Sequence, residues 1–119
     1  MRYRARFHPA VSEDLRRIAL SILPHAGEAT TLRIMSELRA TALSLQETPH
    51  RGSLRNEIMP GLRAIPAGRR GVVVFTVDDE TREVFVHVIA CGGADWMSRA
   101  RIADAPQQSS PLSLRPRLA

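Results

Sequence analysis

Two apolar runs dominate the chain: Val72 to Val77 reads Val-Val-Val-Phe-Thr-Val, and Val84 to Ala90 reads Val-Phe-Val-His-Val-Ile-Ala. Runs this short and this rich in β-branched residues suit a pleated surface better than a helix, so each predicts a strand with both faces covered. Asp78-Asp79-Glu80-Thr81 between them predicts a solvated hairpin tip. In the returning strand, alternation places Val84, Val86, Val88 and Ala90 on one face and Phe85, His87 and Ile89 on the other. A glycine corner, Cys91-Gly92-Gly93, follows and leads to Asp95 and Trp96, with room for a last turn of helix through Arg101.

Upstream, Arg2 to Phe7 alternates strictly, which predicts a strand with Tyr3, Ala5 and Phe7 towards the core and the arginines towards solvent or a partner. Pro9 suits a first helical position, and Glu13 and Asp14 suit a first turn. Val11, Leu15, Ile18, Ala19 and Ile22 then recur at helical spacing. Pro24 is expected to end that helix, and Pro24 to Gly27 to reverse the chain into a second, antiparallel helix from Ala29 to Leu45 with a seam of Leu32, Met35, Leu38, Ala42 and Leu45. Pro49 to Gly61 has no sustained period and predicts a loop, with a turn of helix allowed near Leu54 to Ile58. Leu62 to Pro66 predicts a short strand with Pro66 at its end or on an edge.

The fold class expected is therefore α+β, in the order βααβββ, with a two-helix antiparallel hairpin packed on a small, mainly antiparallel sheet. Residues 1–103 form the domain. Residues 104–119 are rich in Pro, Ser and Gln and are expected to be a flexible tail, too polar to offset their ordering entropy by burial.

Charge adds one feature. The net charge is +5 and every basic residue is arginine. Coding bias accounts for that composition; selection for planar, bidentate recognition of carboxylate or phosphate is the sharper reading. Residues 51–70 hold Arg51, Arg55, Arg63, Arg69 and Arg70 against Glu57 alone, a local net of +4. Such a patch implies an acidic partner or nucleic acid. A direct nucleic-acid motif is missing, the single cysteine excludes an internal disulfide, no segment is apolar for the length of a membrane span, and the N-terminus lacks a secretion signal core. A cytoplasmic protein without cofactor or metal is expected.

Several short motifs recur in this order: Phe7-His8-Pro9 with Asp14-Leu15, Arg51-Gly52, Pro60-Gly61-Leu62-Arg63, Arg69-Arg70, Phe75 to Asp79, and Gly92-Gly93-Ala94-Asp95-Trp96. By these residues the chain resembles the RelE/ParE superfamily of bacterial toxins over roughly residues 3–101, and is closer to the ParE branch. The resemblance implies a type II toxin held inactive by a cognate antitoxin. ParE-like members are known as poisons of DNA gyrase, and RelE-like members as ribosome-dependent messenger RNA endoribonucleases.

Metal-free RNA cleavage needs a base for the 2′-hydroxyl, cations for the phosphorane charge and an acid for the leaving oxygen. The lysines and C-terminal tyrosine that the resemblance implies for RelE-like chains are missing: the only tyrosine is Tyr3. His50 and His87 are the candidate substitutes, each with a plainer structural reading, because no carboxylate lies at a spacing that plainly orients either. His8 reads as a helix cap, His25 as solvated and Cys91 as a small hydrophobe. A stoichiometric inhibitory binder is thus expected, with the ribonuclease as alternative. Its contacts with target or antitoxin are assigned to Arg51, Arg55, Arg63, Arg69, Arg70, Gly92, Gly93, Asp95 and Trp96.

Overall fold

The computed structural model describes residues 2–92, so Gly93, Asp95, Trp96 and the tail lie outside the described residues. The element order is β1 (Arg4–Phe7), α1 (Val11–Ser44), β2 (Ser53–Leu54), β3 (Arg63–Ala67), β4 (Gly71–Asp78) and β5 (Glu83–Cys91). The strands form one sheet in the order β1-β5-β4-β3-β2. Neighbours run antiparallel except β1, which lies parallel to β5 with Arg4 opposite Glu83 and Phe7 opposite Val86. The class is α+β with a mostly antiparallel sheet, as the apolar periods predict.

The helical region differs from the two separate helices expected. It is one span, Val11–Ser44, that runs through Pro24 and breaks at a single residue, Gly27, with φ 84° and ψ 169°. Pro24 supplies no N–H to the ladder, and three residues later Gly27 takes a left-handed φ that a Cβ would resist. On the first arm Val11 and Ile18 are buried as the stripe predicts, with Leu15, Ala19 and Ile22 packed beside them. On the second arm Met35, Leu38, Ala42 and Leu45 are buried, but the seam begins at Thr31, whose hydroxyl donates to Gly27 O at 2.7 Å. Leu32, expected in that seam, is 64% exposed. It lies about 100° round the helix from Thr31, on a flank rather than on the core face.

The sheet also carries a strand that periodicity does not reveal. Ser53 and Leu54 pair with Ala64 and Arg63, in a segment expected to be loop. Gly52 makes this possible: at φ +80° its backbone comes so close to β3 that a Cβ would stand 2.5 Å from Ala64 O. Because β2 ends there, Pro66 further along β3 loses nothing by lacking an N–H.

A β-bulge corrects the expected faces of β5. Phe75 is opposite Val86 and Val74 is opposite Val88, which leaves His87 as the extra residue. Val84, Val86 and Ile89 therefore face the helical arms together with Val73, Phe75, Ile65 and Ala67. Val88 and Ala90 join Leu62, Ala64 and Val74 on the other face, where Ile58 and Met59 pack against them. The two clusters give the sheet an apolar layer on each side, each large side chain contributing about 1.5–3 kcal/mol by its removal from water. Among the described residues no helix is long and apolar enough to cross a membrane.

Candidate functional site

The first arm of α1 begins where β1 stops, and this leaves part of β5 without a strand beside it. His8 N–H still donates to Val86 O at 2.9 Å, but the next edge donor, Ile89 N–H, is met by the carboxylate of Asp14 at 3.1 Å. Asp14 is buried and also approaches Arg17 at 3.5 Å. His8 lies two residues before Ala10, the N-cap of α1, and its Nδ1 accepts from Ala10 N–H at 3.0 Å, so it braces the turn into the helix rather than capping it as expected.

In front of this junction opens a cavity of about 450 Å³ walled by Phe7, Val11, Leu15, Leu43 and Ile89, with Arg39 at its side. Leu15 on the first arm and Arg39 and Leu43 on the second share this wall. Phe7 is 41% and Leu43 48% exposed, against the expectation that Phe7 would be buried. Exposed Leu32 lies on the same flank of the second arm as Arg39 and Leu43, seven and eleven residues before them. The result is an apolar groove open to solvent, a form that small-molecule and peptide sites share. Its components are dispersed through the sequence; the detectable signal was Leu43, an apolar residue off the core stripe.

The basic residues of 51–70 are divided between two ends of the sheet. Arg51 and Arg63 lie at the start of β3: Arg63 donates to Arg51 O at 3.3 Å, and Arg51 to the hydroxyls of Ser44 and Thr48 at 2.9 and 3.2 Å. Arg55 is nearby in chain, its N–H bonded to Leu62 O at 2.7 Å and its guanidinium 4.0 Å from Glu57. Arg69 and Arg70 are exposed in the β3–β4 turn at the opposite end, where Gly92 N–H donates to Arg70 O at 3.1 Å. The structure thus joins Arg69, Arg70 and Gly92, and separates them from Arg51, Arg55 and Arg63.

At the Arg63 end three elements meet on one carboxylate. Tyr3 OH donates to Asp79 Oδ1 at 2.7 Å, and His50 Nε2 lies 2.8 Å from the same oxygen. The rings of Tyr3 and His50 stand edge to face with centroids 6.0 Å apart. This overturns two expectations, that no carboxylate orients His50 and that Asp79 is merely a solvated tip residue. The Tyr3 hydrogen bond chiefly holds the Asp79 carboxyl below its ordinary range, aided by His50 and the charge of Arg63, against some desolvation. Reciprocally, the bond to Asp79 pushes the Tyr3 phenol up. Asp78 does the local work of the tip, accepting from Glu80 and Thr81 N–H at 3.0 and 3.2 Å.

His87 is of a different kind. It is 1% exposed, with Nε2 3.0 Å from Thr76 Oγ1, Nδ1 buried without a hydrogen-bond partner, and its ring edge to face with Phe85 at 4.8 Å. Burial pushes its pKa down to about 4, with the neighbouring His8 adding to the effect. A buried neutral imidazole is a packing group at neutral pH. Cys91 packs against the helix-side core as a free thiol. No cluster of metal-ligating side chains occurs among the described residues.

Known structures share this arrangement. A chain of the chromosomal ParDE TA system from P. aeruginosa superposes with a TM-score of 0.64 at 19% identity, over 75% of this chain and 95% of that one. E. coli RelE in the free state, as a double arginine-to-alanine variant, gives 0.62 at 19% identity over 89% and 100%. A chain of the RelBE2 toxin–antitoxin complex of Mycobacterium tuberculosis gives 0.57 at 18% identity over 77% and 100%. At such identities these likenesses speak for the fold. No curated protein sequence matches the chain. The family model of the ParE toxin of type II toxin–antitoxin systems matches residues 5–92, from β1 to the glycine after β5. The chain belongs to the ParE toxin family.

Proposed function

We propose that this chain is a growth-inhibiting toxin that acts by binding and poisoning a bacterial target, DNA gyrase by resemblance, and that a cognate acidic antitoxin neutralises it. The observation that carries the reading is the kind of surface on offer. The groove at Phe7 and Leu43 is walled by carbon, and Arg69 and Arg70 stand exposed in a turn beside Gly92. These are contact surfaces for macromolecules. In this reading the two arms flanking Gly27 work as an antiparallel hairpin that receives the antitoxin, while Arg69, Arg70 and Gly92 meet the target. Cytoplasmic action without cofactor follows from the same proposal.

A second reading has one observation in its favour. His50, held by Asp79 and close to Tyr3 and Arg63, has the composition of a metal-free general-base site, which suits the ribonuclease alternative. Pulse incorporation of labelled thymidine and methionine, within minutes of inducing the chain alone in bacteria, separates the two. Early loss of thymidine incorporation with protein synthesis intact supports the replication target. Early loss of methionine incorporation that His50→Ala abolishes would replace it with the ribonuclease.

A further inference from the structure

We infer that Arg39 selects the partner: the groove receives an amphipathic α-helix of the antitoxin, which must place a carboxylate opposite Arg39 and an apolar side chain between Phe7 and Leu43. The inference rests on the antitoxin reading above and adds to it the residue that decides which antitoxin fits.

Most other arginines of the helical arms are already engaged. Arg16 lies 3.7 Å from Glu13, Arg17 3.5 Å from Asp14 and Arg33 3.5 Å from Glu37. Arg39 has no ion pair among the described residues, and it is the one that borders the cavity. An occupant that covers the groove therefore removes water from a guanidinium that has no carboxylate of its own. A partner lacking an acid at that point leaves a desolvated, unpaired charge; one bearing an acid gains a bidentate pair. The same side chain attracts the right partner and rejects the wrong one, which is how interfaces discriminate.

The spacing sets the register. Leu32, Arg39 and Leu43 lie on one flank, and Leu32 to Leu43 spans roughly 16 Å at 1.5 Å per residue. A helix lying along it meets them with two apolar anchors about eleven positions apart and an acidic residue about four positions from the anchor at Leu43. The net charge of +5 favours an acidic partner in the same sense.

Calorimetric titration of the purified full chain with its cognate acidic antitoxin tests this, using Arg39→Glu, Arg39→Lys, Leu43→Asp and, as a control on the far flank, Arg33→Glu. Arg39 and Leu43 are on the surface, so circular dichroism should be unchanged. Arg39→Glu and Leu43→Asp are expected to weaken binding by about thirtyfold or more, Arg39→Lys and Arg33→Glu by far less. Reversing one partner carboxylate to lysine should restore binding to Arg39→Glu. Equal affinity for Arg39→Glu and the unaltered chain would overturn the inference while leaving the antitoxin reading in place. No complex with the unaltered chain would overturn the antitoxin reading, and the inference with it.

Discussion

The carboxylate of Asp14 accepts a hydrogen bond from the backbone N–H of Ile89 at 3.1 Å, seventy-five residues away in the chain. A side chain from the first turn of a helix thereby takes the place of the strand that β5 lacks beyond Phe7. Asp14→Ala leaves that buried N–H without its acceptor and should lower stability by about 1–3 kcal/mol. Asp14→Asn keeps an acceptor oxygen and should lose less. Urea unfolding of the two variants measures the difference.

Acid should weaken the fold through His87. Its folded pKa, about 4, lies below the ordinary 6.5, so the fold holds the neutral ring. The stability that this shift represents is fully present above pH 6.5 and is lost as pH falls towards 4, about 3 kcal/mol in all. In His87→Leu the unfolding free energy should be flatter across that window. An unchanged slope would assign the acid sensitivity to other groups.

Tyr3 is the only tyrosine, so alkaline absorbance titration reads it alone. Its phenol is raised chiefly by the hydrogen bond to Asp79. In Asp79→Asn the phenol should ionise at lower pH than in the unaltered chain, and identical curves would place Tyr3 away from Asp79 in solution.

Two glycines with the same sign of φ should respond differently. Gly52→Ala puts a Cβ 2.5 Å from Ala64 O, a backbone atom of β3, and strains a φ of +80°. Gly61→Ala has the φ strain, at +81°, but open space around the Cβ. Thermal unfolding should show a loss of about 1 kcal/mol for Gly61→Ala and at least about twice that for Gly52→Ala.

Arg69→Ala with Arg70→Ala should abolish growth inhibition while leaving the unfolding curve within about 0.5 kcal/mol of the unaltered chain, since both side chains are exposed. Retained inhibition would remove that turn from the contact with the target.

Much of this molecule was legible from periodicity. The strands around Val72 to Val77 and Val84 to Ala90, and the buried faces at Val11, Ile18, Leu38 and Ala42, follow from spacing because spacing is what burial acts on. Asp14 could have been found too: it falls between Val11 and Ile18 on the apolar stripe, where a carboxylate needs a partner. The bulge at His87 was hidden, since an extra residue leaves the composition of the run unchanged. The pair of strand residues after Gly52 is too short for a period to register. Tyr3, His50 and Asp79 meet only because β1 lies parallel to β5, a fact of topology that no local pattern contains. For the same reason the basic stretch 51–70 reads as one patch on paper and is two in space.

The parallel pairing of β1 with β5 also orders events in time. Arg4 finds its place beside Glu83, and the groove's wall takes Phe7 from one end of the described chain and Ile89 from the other. Contacts of such long sequence separation form late, after most of the chain has been made. During synthesis the helical arms can form early, but the groove is complete only once residue 89 has left the ribosome. A partner that recognises the groove therefore meets a nearly finished molecule rather than the helical arms alone.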